Sequence, residues 1–435
     1  MSDLEKKLAA LSPEQRRLLE QRLKQKAAGE RTPPQETADG LTDGATGLLQ
    51  EMPGKAAADG TGGTAPSGNP VGSGSGPGEG MQFSLIFFSG DGSSTAGDKY
   101  RLLIESAKFA DRHGFSAVWT PERHFQAIGG LYPNPSVLSA GLATITSRIQ
   151  LRAGSVVLPL HHPLRVAEEW SVVDNLSQGR VAISVATGWH PADFVLNPDI
   201  YEDRKQIMFD NLDLIRRLWR GESARFKDIA GGEAEVKVLP RPVQPELPIF
   251  CTASGNPATW IKAGELGVNI LCSLANHPAD ALKERIELYR SKRREHGHDP
   301  DAGIVSVMLH TYVGETDSGV KEQVRGPLRD YLSTFLGQYD TLNPYKDDNA
   351  AVKDVLDNEK ESLITFAFEK YFQMSSLMGS KQKCAKMIER LQKLGVNEVA
   401  CLLDFGLEFE QIMQGLEHLN ELKSWFTPVQ ETVSV

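Results

Sequence analysis

The chain has 435 residues, a formal net charge of −10 and 24% charged residues. That length suits one large domain with an appendage, or two domains, and the acidic balance argues against a nucleic-acid surface, which needs a basic stripe. No apolar run reaches the ~18 residues of a membrane span, and the opening "MSDLEKKLAALSPEQ" lacks the hydrophobic core of a secretion signal, so no membrane contact and a cytoplasmic location are expected.

Residues 1–26 read as a helical segment. Leu4, Leu8 and Leu11, then Leu19 and Leu23, recur at helical spacing. Ser12, Pro13 and Gln15 spell a helix start with a capping-box pattern. The other face is rich in Arg and Lys, and the piece is too small to hold a core. Residues 27–80 read as a flexible linker, whose stretch "ADGTGGTAPSGNPVGSGSGPGEG" is mostly Gly, Ser, Pro, Thr and Ala with almost nothing to bury. Its glycines have neither a preceding strand nor a following Lys-Ser/Thr, so a phosphate loop is not expected there.

Residues 81–425 have a different texture, and 426–435 read as a tail. "QFSLIFF" (82–88) predicts a buried strand and "KYRLLIESAKFADRHG" an amphipathic helix ending at Gly114. "SAVWT" is the next strand, "NPSVLSAGLATIT" a helix, "IQLRAGSVVLP" a strand, "PLRVAEEWSVVDNLS" a helix and "RVAISVA" a strand. The alternation continues with helix 202–219, strand 248–251, helix 257–266, strand 268–272, helix 278–295 and strand 304–313. Helices over 318–336, 361–373 and 380–394, the strand "EVACLL" and a final helix complete it. Eight strands alternating with helices predict an α/β fold, a (β/α)8 TIM barrel. Segments 222–247 and 339–360 read as insertions, which at a barrel mouth often serve as lids.

The four cysteines, Cys251, Cys272, Cys384 and Cys401, form no Cys-x-x-Cys pair and predict buried thiols. No His-Glu-x-x-His or Cys/His constellation occurs, so no metal is expected. His161 and His162 precede Pro163 and read as a helix entry, and His296 and His298 as dipole contacts at a helix end. "TPERHF" carries Glu122, Arg123 and His124 at the end of the second strand, where barrel chemistry sits. Two readings stay open: a surface pair of Glu122 with Arg123 beside a capping His124, or a catalytic group.

The stretches "GFSAVWTPERHF", "NPSVLSAGLAT", "RIQLRAGSVVLPLHHPLRVAEEWSVVDNLSQGRVAISVATGW" and "PIFCTASGNPATWIKAGELG" resemble, in order, the bacterial-luciferase-like family of flavin-dependent monooxygenases. Within it the chain is similar to the branch associated with natural-product biosynthesis by polyketide and nonribosomal peptide synthases. The resemblance implies reduced FMN (FMNH2) at the barrel mouth, O2 as co-substrate, a separate flavin reductase, a homodimer, and a carrier-protein-bound intermediate as substrate for hydroxylation or Baeyer–Villiger insertion. Deazaflavin-dependent hydride transfer, or flavin binding without turnover, are the rivals.

By the same resemblance, Ser254, Gly255 and Asn256 open a helix that offers N–H groups to the phosphate, with an ordinary N-cap as the alternative. Gly154 and Ser155 fall where the luciferase has a non-proline cis peptide under the flavin ring. Thr187, Gly188 and Trp189 line the flavin pocket, and Tyr201 and Arg204 reach the flavin or its phosphate. The luciferase has a glutamate at the place of Ala253 and a reactive cysteine at that of Ala186, so neither contact carries over. It has histidine where Arg123 stands. Arginine cannot act as a base, so Arg123 is left to hydrogen-bond a peroxide oxygen or a substrate carboxyl or carbonyl group. His124, with Glu122 and Arg123 in the catalytic set, is expected to serve turnover, and a structural His124 bonded to Glu122 is the alternative.

Overall fold

The computed structural model describes residues 80–88, 98–126, 129–188, 190–253, 255–274, 279–341 and 364–427. Residues 1–79, 342–363 and 428–435 lie outside the described residues, and with them the expected helical segment 1–26, nearly all of the expected linker 27–80, and most of the expected insertion 339–360 and tail 426–435.

The chain begins with β1 (Gln82–Ile86), α1 (Arg101–Arg112), β2 (Ala117–Thr120), α2 (Pro135–Ala143), β3 (Gln150–Val157), α3 (Pro163–Ser177), β4 (Val181–Ala186) and α4 (Arg204–Arg220). A short antiparallel hairpin of β5 (Ala224–Lys227) and β6 (Glu233–Val236) follows. Next come β7 (Ile249–Ala253), α5 (Pro257–Glu265), β8 (Asn269–Ser273), α6 (Ala279–Glu295), β9 (Val305–Gly314) and α7 (Asp317–Thr341). Helix α8 (364–374), β10 (Leu377–Ser380), α9 (Lys381–Lys393), β11 (Glu398–Leu402) and α10 (Phe409–Ser424) finish the domain.

Eight parallel strands close in the order β1-β2-β3-β4-β7-β8-β9-β11, the last returning to β1. This is the predicted (β/α)8 barrel, and its eight strands are those expected. Three strands were not anticipated. The β5–β6 hairpin occupies part of the segment read as an insertion, and the four-residue β10 pairs with Thr311–Gly314 at the far end of β9.

Local chemistry explains the boundaries. Asn134 accepts from the N–H groups of Ser136 (2.9 Å) and Val137 (3.2 Å) ahead of Pro135, so α2 starts with a side-chain cap and a proline that needs no donor. Gln178 closes α3 in the left-handed conformation, with φ 58°.

Alternate strand residues point to the barrel axis. Ile86, Ala117, Trp119, Ala182, Phe250, Leu271, Ala400 and Leu402 form the apolar plug. Below it sits a buried ion pair. Glu398 accepts from Arg152 Nη1 (3.0 Å), Ser84 (2.8 Å), Ser116 (3.0 Å) and Ser306 (2.7 Å), and Trp119 Nε1 donates to Ser84 (2.9 Å). Burial raises the Glu398 pKa, but Arg152 and the three hydroxyls outweigh it and hold it below the ordinary carboxylate value. The filled interior leaves the carboxyl ends of the strands as the place for a site.

Candidate active site

Glu122 lies just past β2 and is buried to 4% exposure. Its Oε1 accepts from His124 Nε2 at 2.9 Å and from His161 Nε2 at 2.6 Å, and its Oε2 accepts the Val157 N–H at 2.7 Å. An ionised carboxylate only accepts, so both imidazoles donate through Nε2. Burial pushes the Glu122 carboxyl up, but the bonds from His124 and His161, the His161 charge and the Val157 N–H together bring its pKa below the ordinary value. Burial pulls His161 down, but the Glu122 bond and charge, with Glu169 further off, raise it above the usual imidazole value.

Arg123 is buried to 3% exposure, so the surface-pair reading of Glu122 and Arg123 is corrected: both groups are inside, and the Glu122 oxygens are bonded by histidines and a backbone amide. The Arg123 guanidinium sits 4.9 Å over the Phe88 ring. Its stem runs against Gly129, where an added Cβ would come within 2.5 Å of Arg123 Cγ. Beside it Asp193, 2% exposed, has its carboxyl pushed up by burial against the opposing charges of Arg123, His124 and His190.

The Gly154–Ser155 peptide is cis, and the β3–β4 register shifts between Gly154 and Val156. Ser155 shares a hydrogen bond with Thr252 Oγ1, which also meets Ser184 Oγ at 2.7 Å. Three hydroxyls from the ends of β3, β4 and β7 thus form one polar patch, and Thr252 is exposed. A Cβ on Gly154 would crowd Trp119 at 3.1 Å, so glycine lets the strand lie close over the plug.

Thr187 and Gly188 follow β4. Gly188 has φ +78°, and an added Cβ would meet the Phe194 ring at 2.8 Å. Tyr201 packs edge-on to Phe194 (4.9 Å), and Arg204 lies 4.0 Å over the Tyr201 ring while bonding its carbonyl. Trp189 and Ser254 lie outside the described residues. Gly255 is exposed, and a Cβ there would meet nothing within 4 Å. Asn256 is the N-cap of α5, its Oδ1 taken by the Ala258 N–H at 3.0 Å.

The structure therefore brings Glu122, His124 and Arg123 together, and β3 ties that group to the Ser155 patch through Val157. Gly255 and Asn256 stand at the end of β7, and Tyr201 and Arg204 on the 3-10 turn and helix start beyond β4. His161 was missed as a site residue: its neighbour His162 does cap α3, accepting from the Leu164 N–H at 3.3 Å, whereas His161 turns back to Glu122. Thr252 and Asp193 were missed too, since neither forms a motif. The four thiols are buried, and burial pushes those of Cys251, Cys272 and Cys401 up to about 12.

A closed parallel barrel with its polar groups gathered at the carboxyl ends of β2, β3, β4 and β7 defines an enzyme of the barrel class. The chain matches the family model for luciferase-like monooxygenases over residues 81–398, and it belongs to that family. It is 24% identical over 336 residues to the oxygenase component of the flavin-dependent trigonelline monooxygenase of Acinetobacter baylyi, covering 75% of this chain and 90% of that one. Among solved structures, the monooxygenase RslO1 from Streptomyces bottropensis is similar at TM-score 0.64 and 21% identity, over 79% of this chain and 100% of that one. The oxygenating constituent of 3,6-diketocamphane monooxygenase from Pseudomonas putida, a type II Baeyer–Villiger enzyme solved with FMN, is similar at TM-score 0.62 and 20% identity, over 80% of this chain and 98% of that one. The chain is thus an oxidoreductase, a flavin-dependent monooxygenase. No helix among the described residues is long and apolar enough to cross a membrane.

Proposed function

We propose that this chain is the oxygenase half of a two-component system. It takes reduced FMN from a separate flavin reductase and inserts one atom of O2 into a biosynthetic intermediate held on a carrier protein. The relative from Acinetobacter baylyi is named an oxygenase component, which supports the reductase. When bound, the reduced flavin supplies the electrons that activate O2. The observation that carries the reading is the mouth itself: a dry carboxylate holding two imidazoles, joined by one strand to a patch of three hydroxyls.

Four groups of residues at the mouth support FMN binding in this reading. Gly255 leaves open space before the N-terminus of α5, where N–H groups favour a phosphate. Asn256 keeps its backbone and amide N–H groups for that role although its Oδ1 is used as a cap. Ser155, Ser184 and Thr252 offer hydroxyls to the polar edge of the flavin or to its ribityl chain. In this reading Thr187 and Gly188 close the β4 side and Tyr201 and Arg204 lie toward the phosphate, while Trp189 and Ser254 join these two groups by the family resemblance alone.

The residues of the chain do the proton work. Glu122 orients His124 by taking its Nε2–H, which leaves Nδ1 of His124 to hold or release a proton at the reacting oxygen. Arg123 stays charged and steadies negative charge at the same place. Burial of Glu122, Arg123 and Asp193 keeps water off these three groups and so strengthens their electrostatic action. Residues 1–26, leucine-striped and basic on the other face, serve in this reading as a tethered docking segment for an acidic carrier.

The test is mass spectrometry of candidate carrier-bound acyl chains after incubation with FMNH2 and oxygen-18 gas. A product heavier by one labelled oxygen atom supports the reading. Reduction or oxidation of the chain by a deazaflavin without label uptake rejects it.

A further inference from the structure

The imidazole of His310 lies outside the group described above. On β9, Ser306 bonds Glu398 inside the barrel and Met308 packs on the apolar plug. By the two-residue period of a strand, His310 faces the same way. It pairs in register with Leu402, an interior residue of β11, near the carboxyl end of the barrel. In the closed ring, β9 stands four strands from β3 in either direction, so His310 lies across the barrel from Gly154–Ser155.

His310 is 3% exposed and ringed by aromatic side chains: Tyr331 at 4.7 Å, Tyr371 at 5.2 Å and Phe405 at 5.5 Å between centroids, all edge-on. Burial pulls its pKa down to about 3, so the ring is neutral and carries one N–H. Nδ1 lies 2.9 Å from the Tyr371 hydroxyl. Burial pushes that phenol up, so it keeps its proton, and among the described residues Nδ1 is the one acceptor the hydroxyl has. The phenol therefore donates to Nδ1, and the imidazole proton sits on Nε2. That buried Nε2 has no hydrogen-bond partner among the described residues. A buried donor left unmade costs about 1–3 kcal/mol, so such a group in a native protein calls for a partner, an ordered water or a ligand that displaces it.

We propose that His310 is a substrate-recognition residue: its Nε2–H donates to an uncharged acceptor oxygen of the substrate, the carbonyl of a ketone, ester, thioester or amide, with Tyr371 fixing the tautomer. The assignment rests on the monooxygenase reading and names the substrate class at that site. The aromatic ring of neighbours provides apolar walls, and the imidazole brings no positive charge to offset desolvation of a carboxylate.

Two measurements test it, and neither uses reduced flavin or O2. Nitrogen-15 NMR of histidine-labelled protein, with the His310 signals assigned from His310→Gln, reads the tautomer. The expected result is an Nε2–H imidazole that stays neutral down to about pH 5, with the tautomer preference lost in Tyr371→Phe. An Nδ1–H tautomer or an imidazolium above that pH overturns the proposal.

The second measurement uses acetophenone with a carbon-13 carbonyl, read by infrared spectroscopy and by its Kd. The carbonyl band should fall in the wild-type protein relative to an apolar solvent and return in His310→Leu, with a Kd about tenfold weaker. Ethylbenzene, which lacks the oxygen, should bind both proteins alike. Should His310→Leu not fold, Tyr371→Phe carries the test, with a broadened band and a Kd weakened about threefold. An acetophenone Kd unchanged in the variants, acetophenone binding no better than ethylbenzene, or benzoate binding more tightly than acetophenone each overturns the proposal. Those outcomes leave the monooxygenase reading standing, since labelled oxygen uptake is read separately.

Discussion

Replacing Glu122 by glutamine keeps the shape and removes the charge. In the native protein its two oxygens take three donors: His124, His161 and the Val157 N–H. A glutamine amide has one acceptor oxygen. If that oxygen faces the histidines, the amide N–H groups oppose the Val157 N–H; if it is flipped, they oppose the two imidazoles. At least one buried donor is stranded and two charge-assisted bonds weaken, a loss on the order of 3 kcal/mol. The loss has a pH signature. His161 is raised above its ordinary 6.5 by the bond and charge of Glu122 against burial. That contribution is fully present below 6.5 and is lost as pH rises through the folded value. Glu122, lowered from 4.5, contributes above 4.5 and loses its contribution as pH falls through its folded value. The gap between wild type and Glu122→Gln in urea unfolding should therefore be wider near about pH 6 than near about pH 8, and NMR should show His161 titrating lower in the variant. A loss below about 1 kcal/mol, or an equal loss at both pH values, refutes the reasoning.

Glu398→Ala leaves Arg152 charged and unpaired inside the barrel and should cost about 3–5 kcal/mol, while the double change Arg152→Met, Glu398→Leu should cost less than the single one; urea melts of the variants decide it. Gly188→Ala forces a side chain into a left-handed turn and against Phe194, so its stability should drop by about 2 kcal/mol, read as a lowered Tm. A protein beginning at Gly80 should melt at the same temperature and bind FMN within about twofold of the full chain, because residues 27–79 have little to bury; loss of soluble flavin-binding protein would contradict this. Deleting residues 1–26 should slow oxygenation of a carrier-bound chain below carrier saturation and leave a small free thioester unaffected; equal carrier rates would remove the docking role.

Much of the barrel was legible because its strands are short apolar runs such as "VAISV" and "EVACL", buried on both faces, and its helices carry the longer period. The hairpin β5–β6 was hidden in a stretch rich in Gly, Glu and Pro, and β10, "LMGS", is too short to show a period. At the mouth, Glu122 and His124 stood out as neighbours in one motif. His161 did not, because the acceptor it bonds lies 39 residues earlier and the adjacent His162–Pro163 pair already explained the local residues. Arg152 and Glu398 are 246 positions apart, so each alone reads as a surface charge on an apolar strand. Thr252 and His310 each sit in a plain strand; Thr252 meets Ser155 only across β4, and the partners that ring His310 come from distant parts of the chain.

The most direct test of the central claim is a single-turnover reaction of the protein, loaded with one equivalent of FMNH2 and a carrier-bound acyl substrate, with oxygen-18 gas. The account predicts that the flavin is reoxidised, one labelled atom appears in the acyl chain and the other in water, and His124→Ala forms far less product while binding FMN with unchanged affinity. Flavin reoxidation without label in any acyl chain of the panel, or full product formation by His124→Ala, would contradict it.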